Sequence, residues 1–582
     1  MSAYTVFFRK ENVKILVEKG TTLLDAEIQA GIQPDAPCGG QGKCGKCLVR
    51  LEVPGETARL VKACCTPVEQ DLCVETLGEN RKLRILTEGF QTEVVFSPSI
   101  RKELVTLPPR KHQKKLSEWE RLQLALAEPV PPRQQMVRRL SELKTGGGCE
   151  LAVVRRRDRI LDLYLSSEPG RRLLGAAFDI GTTTIAAYLL DLETGEELAS
   201  GSAVNPQVSF GADVIQRSNH ALTNGEEELT QCVRREADSL LGQLCERAGV
   251  SRFDVYQISM VGNSCMHHLF LGFSPDSMVH APYQPAVREG LILPAGECGF
   301  TAALSAELFF LPLIAGFVGA DTIGGLLATG LGQETSLSLL IDIGTNGELV
   351  IGNKERRIAC STAAGPALEG AKISCGMRGT QGAVEHVDLE DGGLRCQVIG
   401  GGPAQGICGS GLIDGIAALL KLGAMDESGK LCGDGKVDGS EVYWLIRPEQ
   451  GQKGVFLSQK DIREVQLAKG AIAAGIHLLA EAMGVSLNQI DRVYLAGAFG
   501  TYLNPESACA IGLIPRECKE KLIPVGNAAG EGAKRVLLQA GAWEDAAKLA
   551  DKTEFLELAS LPQFQDAFVD ELEFPDEEGA GK

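Results

Sequence analysis

The sequence predicts an α/β multidomain protein with a small cysteine-rich amino-terminal domain, a short middle segment and a large two-lobed domain. Three observations predict this division. Six of the 18 cysteines lie between positions 38 and 73, prolines and basic residues crowd the segment from 97 to 159, and an Asp-Ile-Gly-Thr pattern occurs twice, 163 residues apart. At 582 residues, the chain is long enough for three or four domains of ordinary size.

Composition excludes several classes of protein. With 44% hydrophobic and 23% charged residues, the chain is neither fibrous nor mostly disordered. A formal net charge of −18 argues against a chain-wide surface for nucleic acid or anionic membrane. No signal-peptide pattern is visible, and the most apolar segment, Leu308 to Ala320, is too short to span a bilayer. We therefore expect a cytoplasmic protein with reduced cysteines and with neither nucleic-acid nor membrane partners.

Three of the clustered cysteines form the spacing Cys38-x5-Cys44-x2-Cys47 within a glycine-rich loop. Glycines let the backbone turn and direct amide groups toward sulfur, so this loop can enclose one edge of a small iron–sulfur cluster. Plant-type ferredoxins have four residues in the first gap, and five here indicate a ferredoxin variant. Zinc is the structural alternative, and simple burial of the cysteines is the third interpretation.

The residues around the loop predict a β-grasp domain of the [2Fe–2S] ferredoxin type over residues 1–95. Alternation and helix-end signals predict the order strand, strand, helix, loop, strand, strand. These elements are expected at residues 4–8, 13–17, 22–31, 47–53 and 72–77.

The fourth cluster ligand is open between Cys64 and Cys65, which are adjacent. The chain resembles ferredoxins that carry Ala-Cys-Gln at this point, and the resemblance places Cys64 on the metal and Cys65 at the glutamine position. Cys73 lies in an alternating strand pattern and is interpreted as a core residue. The expected metal ligands are Cys38, Cys44, Cys47 and Cys64.

Between the two large parts, we expect a linker at 96–116 and a small middle domain at 117–172. A capping box that begins at Ser117 predicts a short helix ending before Pro129. Two apolar runs after it predict a hairpin. The basic residues of the linker could dock an acidic partner, but a solvated segment is the preferred interpretation.

The two Asp-Ile-Gly-Thr patterns each predict a buried strand, a tight turn and a second apolar strand. Glycine permits the turn, backbone amides and hydroxyls can bind phosphate there, and the aspartate can hold water around Mg²⁺. The candidate residues are Asp179, Gly181, Thr182, Thr183 and Thr184 in the first pattern, and Asp342, Gly344, Thr345 and Asn346 in the second.

A third glycine turn, from Gly497 to Gly500, follows a buried strand and suits an adenosine pocket. Together the three patterns resemble the actin/Hsp70/sugar-kinase-like superfamily of ATPases, which binds Mg-ATP between two related lobes. The resemblance implies an ATP-binding domain over residues 173–565. We expect residues 566–582 to be a solvated acidic tail.

Two aspartates between the hairpins, Asp213 and Asp321, each follow a Gly-Ala pair. Either could be the catalytic acid that positions an attacking water. A helix cap is the alternative for both.

An iron–sulfur domain and an ATPase of this superfamily on one chain is a rare combination, and the chain resembles the ATP-dependent reductive activators of corrinoid proteins found in anaerobes. The resemblance spans nearly the whole chain. Cys65 departs from it, as does Ser264-Cys265, where the family more often has two threonines. The motifs that carry it are PCGGQGKCGKC with Ala63-Cys64, FDIGTTT, VGNSCMHHLFLG, FVGADTIGG, AAGPALEGAKISCGMRG, GICGSGLIDGI, QLAKGAIAAGI, LAGAFGTYLNP and the run from Gly526 to Gly530.

This resemblance implies one-electron reduction of cob(II)alamin to cob(I)alamin on a corrinoid protein of a methyltransferase system. The implied cofactors are a [2Fe–2S] cluster, ATP and Mg²⁺. The implied partners are the corrinoid protein and a low-potential electron donor, and a homodimer is a compatible assembly. Two rival functions stay open: an electron-transfer iron–sulfur protein whose ATP fold does not drive the reaction, and a metabolite kinase with a fused redox domain.

Overall fold

The computed structural model describes residues 3–10, 13–30, 32, 40, 42, 47–52, 58–76, 96–157, 159–370, 372–390, 393–449, 453–497 and 502–575. These residues form an amino-terminal domain, a three-stranded module and two lobes that are each built on a six-stranded sheet. Within these ranges, no helix has the length and apolar content that a bilayer crossing requires.

The amino-terminal domain is a five-stranded sheet with one helix. Its elements are β1 Ala3–Phe8, β2 Val13–Glu18, α1 Leu23–Gln29, β3 Leu48–Glu52, β4 Arg59–Lys62 and β5 Leu72–Thr76. The order β2-β1-β5-β3-β4 places the parallel pair β1 and β5 inside the sheet. Helix α1 begins after Thr22, whose side chain accepts a hydrogen bond from the backbone N–H of Asp25. The expected β-grasp fold is confirmed, with one strand, β4, that the pattern did not predict.

Residues 96–172 form an antiparallel sheet covered by two helices, called the β6–β8 module below. Its elements are β6 Ile100–Leu107, α2 Glu118–Ala125, α3 Gln134–Glu142, β7 Cys149–Arg156 and β8 Arg159–Leu165. The capping box at Ser117 and the hairpin of β7 and β8 are present as expected.

The segment expected to be a linker, 96–116, instead contains β6, which pairs with β7 along its whole length. Its alternating residues Val105 and Leu107 are buried against the module's helices. The prolines that suggested a linker flank the strand and do not interrupt its hydrogen bonds.

The first lobe places the first hairpin at the centre of its sheet, in the order β11-β10-β9-β12-β14-β13. Strand β12 lies parallel to β9 beside the hairpin. The elements are β9 Leu174–Ile180, β10 Thr184–Asp191, β11 Glu197–Val204, α4 Val214–Asn224, α5 Glu227–Ala248, β12 Val255–Gly262, α6 Ser264–Leu271, α7 Asp276–Val279, β13 Leu291–Pro294, β14 Glu307–Phe310 and α8 Ala320–Thr329.

The second lobe repeats that arrangement in the order β25-β24-β15-β16-β17-β26, with β24 parallel to β15. The elements are β15 Ser338–Ile343, β16 Gly347–Gly352, β17 Arg357–Thr362, β18 Ala383–Glu390, β19 Gly393–Val398, β20 Gly406–Ile407, α9 Gly409–Lys421, β21 Gly435–Val437, β22 Ser440–Ile446, β23 Val455–Ser458, α10 Gln459–Met483, β24 Arg492–Ala496, α11 Pro505–Ala510, β25 Leu522–Gly526, α12 Ala528–Leu538, α13 Ala542–Lys552, β26 Thr553–Phe555 and α14 Phe564–Asp570. The expected two-lobed architecture is confirmed.

Helices α8 and α12 cross with their backbones in contact. A Cβ added to Gly532 would lie 2.1 Å from the carbonyl oxygen of Gly324, and one added to Gly324 would lie 2.6 Å from that of Ala529. Only glycine allows so close an approach. Helix α12 follows β25 of the second lobe, yet its buried face lies in the core of the first, so it ties the lobes together.

The β6–β8 module is held to the first lobe by ion pairs. It contains 17 Lys and Arg against 9 Asp and Glu, in a chain whose net charge is −18. Four of its arginines pair with carboxylates of the lobe at 2.6 to 2.8 Å: Arg156 and Arg159 with Glu307, Arg171 with Asp254, and Arg172 with Asp191. The carboxylates are largely buried, so salt screens these pairs less than exposed ones.

The expected solvated tail differs as well, because the chain packs against α10 as far as residue 575. Phe574 is only 2% exposed. The Lys469 ammonium donates to the carbonyl oxygen of Glu573 and lies 5.5 Å from the Phe574 ring. The side-chain amide of Gln466 donates to the carbonyl oxygen of Leu572 at 2.8 Å. The buried Phe574 ring and these hydrogen bonds to its neighbours together anchor this segment.

The helix crossing predicts that Gly532→Ala destabilises the protein by about 1–3 kcal/mol, because the added methyl group must push two backbones apart. The measurement is the thermal unfolding midpoint of the full chain. Gly541→Ala is the matched control, since a Cβ there meets no atom within 4 Å. Equal midpoints for the two variants would contradict the backbone contact.

Candidate functional site

The two Asp-Ile-Gly-Thr turns occupy equivalent positions in the two lobes. In the first, Gly181, Thr182 and Thr183 connect β9 to β10, which begins at Thr184; in the second, residues 344–346 connect β15 to β16. The backbone N–H of Gly181 donates to the carbonyl oxygen of Thr184 at 2.9 Å, and that of Gly344 donates to Asn346 at the same distance. Both turns are therefore closed by a backbone hydrogen bond from their glycine, to the third residue onward in the first turn and to the second residue onward in the second.

Four carboxylates converge between these turns. Asp179 and Asp342 end the two hairpin strands, Glu348 lies on β16, and Asp321 lies in the first turn of α8. Withdrawal from solvent, followed by repulsion from Asp321, raises the pKa of Asp179 and that of Asp342 to about 7. Withdrawal from solvent raises the pKa of Asp321 to about 6, and the same two causes raise the pKa of Glu348 well above its usual value. Like charges held this near one another favour a cation beside them, but no three of these four carboxylates are arranged to bind one by themselves.

Asp213 does not belong to this group. Its carboxylate accepts hydrogen bonds from the backbone N–H of Gln216 at 2.8 Å and from the Gln216 side-chain amide at 2.9 Å, which makes it the amino-terminal cap of α4. Of the two candidate acids, the fold therefore brings Asp321 to the other carboxylates and uses Asp213 to begin a helix.

Three polar side chains, two of them buried, hold the first turn in place. Asn205 donates to the carbonyl oxygen of Gly181 at 2.8 Å, and Asn263 donates to the hydroxyl of Thr182 at 2.9 Å. Arg217, which is fully buried, donates to the carbonyl oxygen of Thr182. Burial lowers the Arg217 pKa to about 10. Sequence reasoning assigned no role to these residues, which come from separate elements and share no local pattern.

The second turn meets the third glycine pattern. Gly497 has φ +91°, and a Cβ there would lie 2.9 Å from the Asp342 carboxylate. Any larger residue would displace that carboxylate. The Thr345 hydroxyl donates to Glu369 at 3.3 Å, a contact that the sequence did not predict. Gly500 lies outside the described residues.

An open pocket adjoins the second turn. Its lining includes Asn263 and Ser264 at the start of α6 and, from the second lobe, Asn346. The pocket therefore lies between the lobes, and through Asn263 it is one hydrogen bond away from Thr182 of the first turn.

The cysteine site is partly described. The sulfurs of Cys47 and Cys64 lie 3.2 Å apart, and the Cys65 sulfur lies 3.6 Å from that of Cys64. Cys38 and Cys44 lie outside the described residues. Burial raises the pKa of Cys64 to about 12, so its thiol stays protonated unless a metal replaces the proton.

The glycines of the loop lie directly against these thiols. Gly40 and Gly42 have φ +79° and +72°. A Cβ on Gly42 would lie 3.0 Å from the Cys65 sulfur, and one on Gly40 would lie 3.9 Å from the Cβ of Cys64. This close cradle and the adjacent thiols fit a small cluster. Among the described residues, no three His, Cys, Asp or Glu side chains are arranged to hold a metal ion.

Most described cysteines outside this loop are buried or partly buried. In the two lobes, burial raises the pKa of four buried thiols to about 11: Cys245, Cys265, Cys509 and Cys518. Among the described cysteines, two are exposed, Cys65 and Cys432. Cys73 lies in β5, but the expectation that it is a core residue was wrong: it is only partly buried and alternates with the core residues Leu72 and Val74.

Three protein-family models match the chain in succession. The 2Fe-2S iron-sulfur cluster binding domain matches residues 6–69, the RACo middle region matches 174–334, and the C-terminal domain of RACo, the ASKHA domain, matches 336–580. These matches cover the cysteine loop and both lobes.

Individual proteins match over nearly the same span. The corrinoid activation enzyme RamQ of Eubacterium limosum is 32% identical over 595 residues, which cover 98% of this chain and 99% of that protein. The [Co(II) methylated amine-specific corrinoid protein] reductase of Methanosarcina barkeri is 28% identical and covers 69% of this chain and 77% of its own. A solved structure, the reductive activator for corrinoid, iron-sulfur protein, has a TM-score of 0.76 at 31% identity and covers 98% of both chains.

Since a relative of 32% identity spans both chains almost end to end, and since a 2Fe-2S domain and the RACo regions follow one another here in order, the chain belongs to the RACo family of reductive activators.

Proposed function

We propose that this protein uses ATP to drive the one-electron reduction of cob(II)alamin to cob(I)alamin on a corrinoid protein of a methyltransferase system. The observation that carries the proposal is the combination of a cluster-type cysteine loop with a carboxylate-lined cleft between two lobes, on one chain that matches RamQ over its whole length. A low-potential electron donor and a homodimeric assembly belong to the same proposal.

ATP would bind between the lobes. The turns at 181–184 and 344–346 offer amides and hydroxyls to the phosphates, and Gly497 leaves room beside Asp342. Mg²⁺ commonly takes one or two protein carboxylates together with phosphate oxygens, which suits Asp179 and Asp342. Asp321 is our candidate for the acid that positions the attacking water, because it lies with these two carboxylates.

The cluster would be held by Cys38, Cys44, Cys47 and Cys64, and when bound it supplies a store for one electron. Of these four, Cys47 and Cys64 already lie side by side. The glycines of the loop keep backbone against the thiols, and the buried helix and strands of the domain exclude water from one side.

A need for ATP follows from the energetics of the reaction. Each 59 mV by which a one-electron transfer runs uphill costs about 1.4 kcal/mol. A nucleotide can supply this only through different affinities for two arrangements of the protein. The four carboxylates make the cleft responsive to a bound cation. An electron-transfer protein with an inactive ATP fold would not need this response.

Cys47→Ala and Cys64→Ala are expected to abolish the visible absorbance of the cluster and the binding of about two irons per chain, because each removes a ligand. The measurements are absorbance and iron content after anaerobic purification. Cys73→Ala, on β5 of the same domain, is the matched control and should stay coloured. If Cys65→Ala bleaches the protein and Cys64→Ala does not, Cys65 is the fourth ligand.

Asp342→Asn and Asp179→Asn are expected to lower ATP hydrolysis by about 100-fold or more, because each removes a charge from the cation site. Asp321→Asn should behave similarly. Asp213→Asn should have a much smaller effect, since asparagine caps a helix as well as aspartate does. Initial rates of phosphate release measure all four variants, and a larger loss in Asp213→Asn than in Asp321→Asn would exchange the roles of these residues.

With a cob(II)alamin-loaded corrinoid protein and a low-potential reductant, the wild-type protein is expected to produce the cob(I)alamin spectrum only when ATP is present. Cys47→Ala should keep its ATPase activity and lose this reduction. Cobalt reduction at the same rate and extent without nucleotide would favour the simple electron-transfer function. Phosphorylation of a small metabolite without cobalt reduction would favour the kinase.

A further inference from the structure

Helix α12 has one end at the nucleotide carboxylates and the other at the chain segment that leads back to the iron–sulfur domain. Asn527 caps its first turn, and Leu538 is its last residue. Its role rests on the function proposed above, because that function requires the ATP site to act on a distant redox domain.

At the amino end, both the oxygen and the nitrogen of the Asn527 side chain make hydrogen bonds. Its oxygen accepts from the backbone N–H of Gly530 at 2.8 Å, and its nitrogen donates to the Tyr188 hydroxyl at 3.2 Å. The same amide lies close enough to Asp179 to lower the pKa of that carboxyl, against the effect of burial. Gly530 has no room for a side chain, because a Cβ there would lie 3.0 Å from the Asn527 nitrogen. The amide is thus fixed in orientation beside Asp179.

The helix between the two ends is closely packed and hydrogen-bonded to the first lobe. Besides its backbone contact with α8, it is held by the ammonium of Lys534, which pairs with Glu197 of β11 at 2.9 Å. The guanidinium of Arg535 donates to the carbonyl oxygen of Leu327 on α8 at 2.6 Å. Since α8 carries Asp321 at its own amino end, a change at the carboxylates moves both helices as one packed unit.

At the carboxyl end, the backbone of α12 is bound to Ser97. The Ser97 N–H donates to the carbonyl oxygen of Leu538 at 2.9 Å, and the Ala540 N–H donates to the carbonyl oxygen of Ser97 at 2.7 Å. Ser97 immediately precedes β6 in the chain, on the side of the iron–sulfur domain. Trp543, on α13, lies edge-on against Phe309 of β14 at 5.2 Å and lines a pocket between α13 and the β6–β8 module.

We propose that Asn527 is a positioning residue for Asp179 and that α12 transmits the state of the nucleotide site to Ser97, and so to the chain that carries the iron–sulfur domain. The two ends can be tested separately. The amino end acts on the Asp179 carboxylate through a side chain, and the carboxyl end binds Ser97, ahead of β6, through backbone hydrogen bonds. Both ends bias one rigid element, which is the physical condition for coupling between distant sites.

Asn527→Ser tests the amino end. Serine retains the helix cap but has no second donor for Asp179, so a purely structural role would leave this variant near wild type. We expect the kcat for ATP hydrolysis to fall about 10- to 100-fold with the KM changed less than about 3-fold, because a hydrogen bond to a charged group is lost. If Asn527→Ser keeps the wild-type kcat, whether or not its thermal stability falls, the positioning role is overturned.

Ala540→Pro tests the carboxyl end, because proline cannot donate to Ser97. We expect ATP hydrolysis and cluster absorbance within about 2-fold of wild type, and cob(I)alamin formed per ATP reduced at least about 10-fold. Ala540→Gly is the matched control at the same position, since it keeps the N–H and should keep the coupling. Full reduction per ATP in Ala540→Pro would overturn the proposal.

Trp543 provides a readout that needs no corrinoid partner. With Trp119 and Trp444 replaced by phenylalanine, ATP is expected to change the Trp543 emission, and Asn527→Ser should abolish that change while nucleotide still binds. No change in the parent protein, or an unaltered change in Asn527→Ser, would overturn the proposal. If instead the wild type fails to reduce a corrinoid protein with ATP while Trp543 responds as expected, the proposed function fails and the coupling through α12 stands.

Discussion

Mutual repulsion among the carboxylates of Asp179, Asp321, Asp342 and Glu348 is the constraint on which the two lobes depend. Each comes from a different strand or helix, and without compensation each would push its own element away from the others. The glycine contact between α8 and α12 and the cores of both lobes resist that force. In the proposed function, a cation that arrives with a nucleotide would offset this repulsion.

The sequence predicted those parts of the site that are encoded locally. A turn such as Gly181 to Thr184 needs glycine and threonine at adjacent positions, and a loop that approaches thiols needs glycine beside them, so both are visible in a few residues. Arg217 and Glu369 carry no such signal, because each reaches its turn only after separate elements have packed. The acid was ambiguous for the same reason: Asp213 and Asp321 follow identical dipeptides, and only the fold separates a helix cap from a cleft carboxylate.

The middle of the chain shows how composition can mislead. Prolines and positive charges between 96 and 116 are typical of linkers, yet β6 lies between the prolines and completes a sheet. Part of the positive charge of the β6–β8 module is used in contact with an acidic lobe, as at Arg156 and Glu307. The basic residues complement an acidic part of the same chain that is distant in sequence. The composition of either part alone does not show this.

Burial separates the cysteines of this protein into thiols of low reactivity and thiols that solvent can reach. Thiols in the lobes, such as Cys265 and Cys509, have raised pKa values and little access to solvent, so at neutral pH they are poor nucleophiles toward alkylating agents and oxidants. Cys65 is exposed and lies beside Cys64 at the loop. Damage by air would therefore reach Cys65 in the redox domain and the exposed Cys432 of the second lobe before the buried thiols, so a protein that has lost its electron-transfer capacity would still hydrolyse ATP.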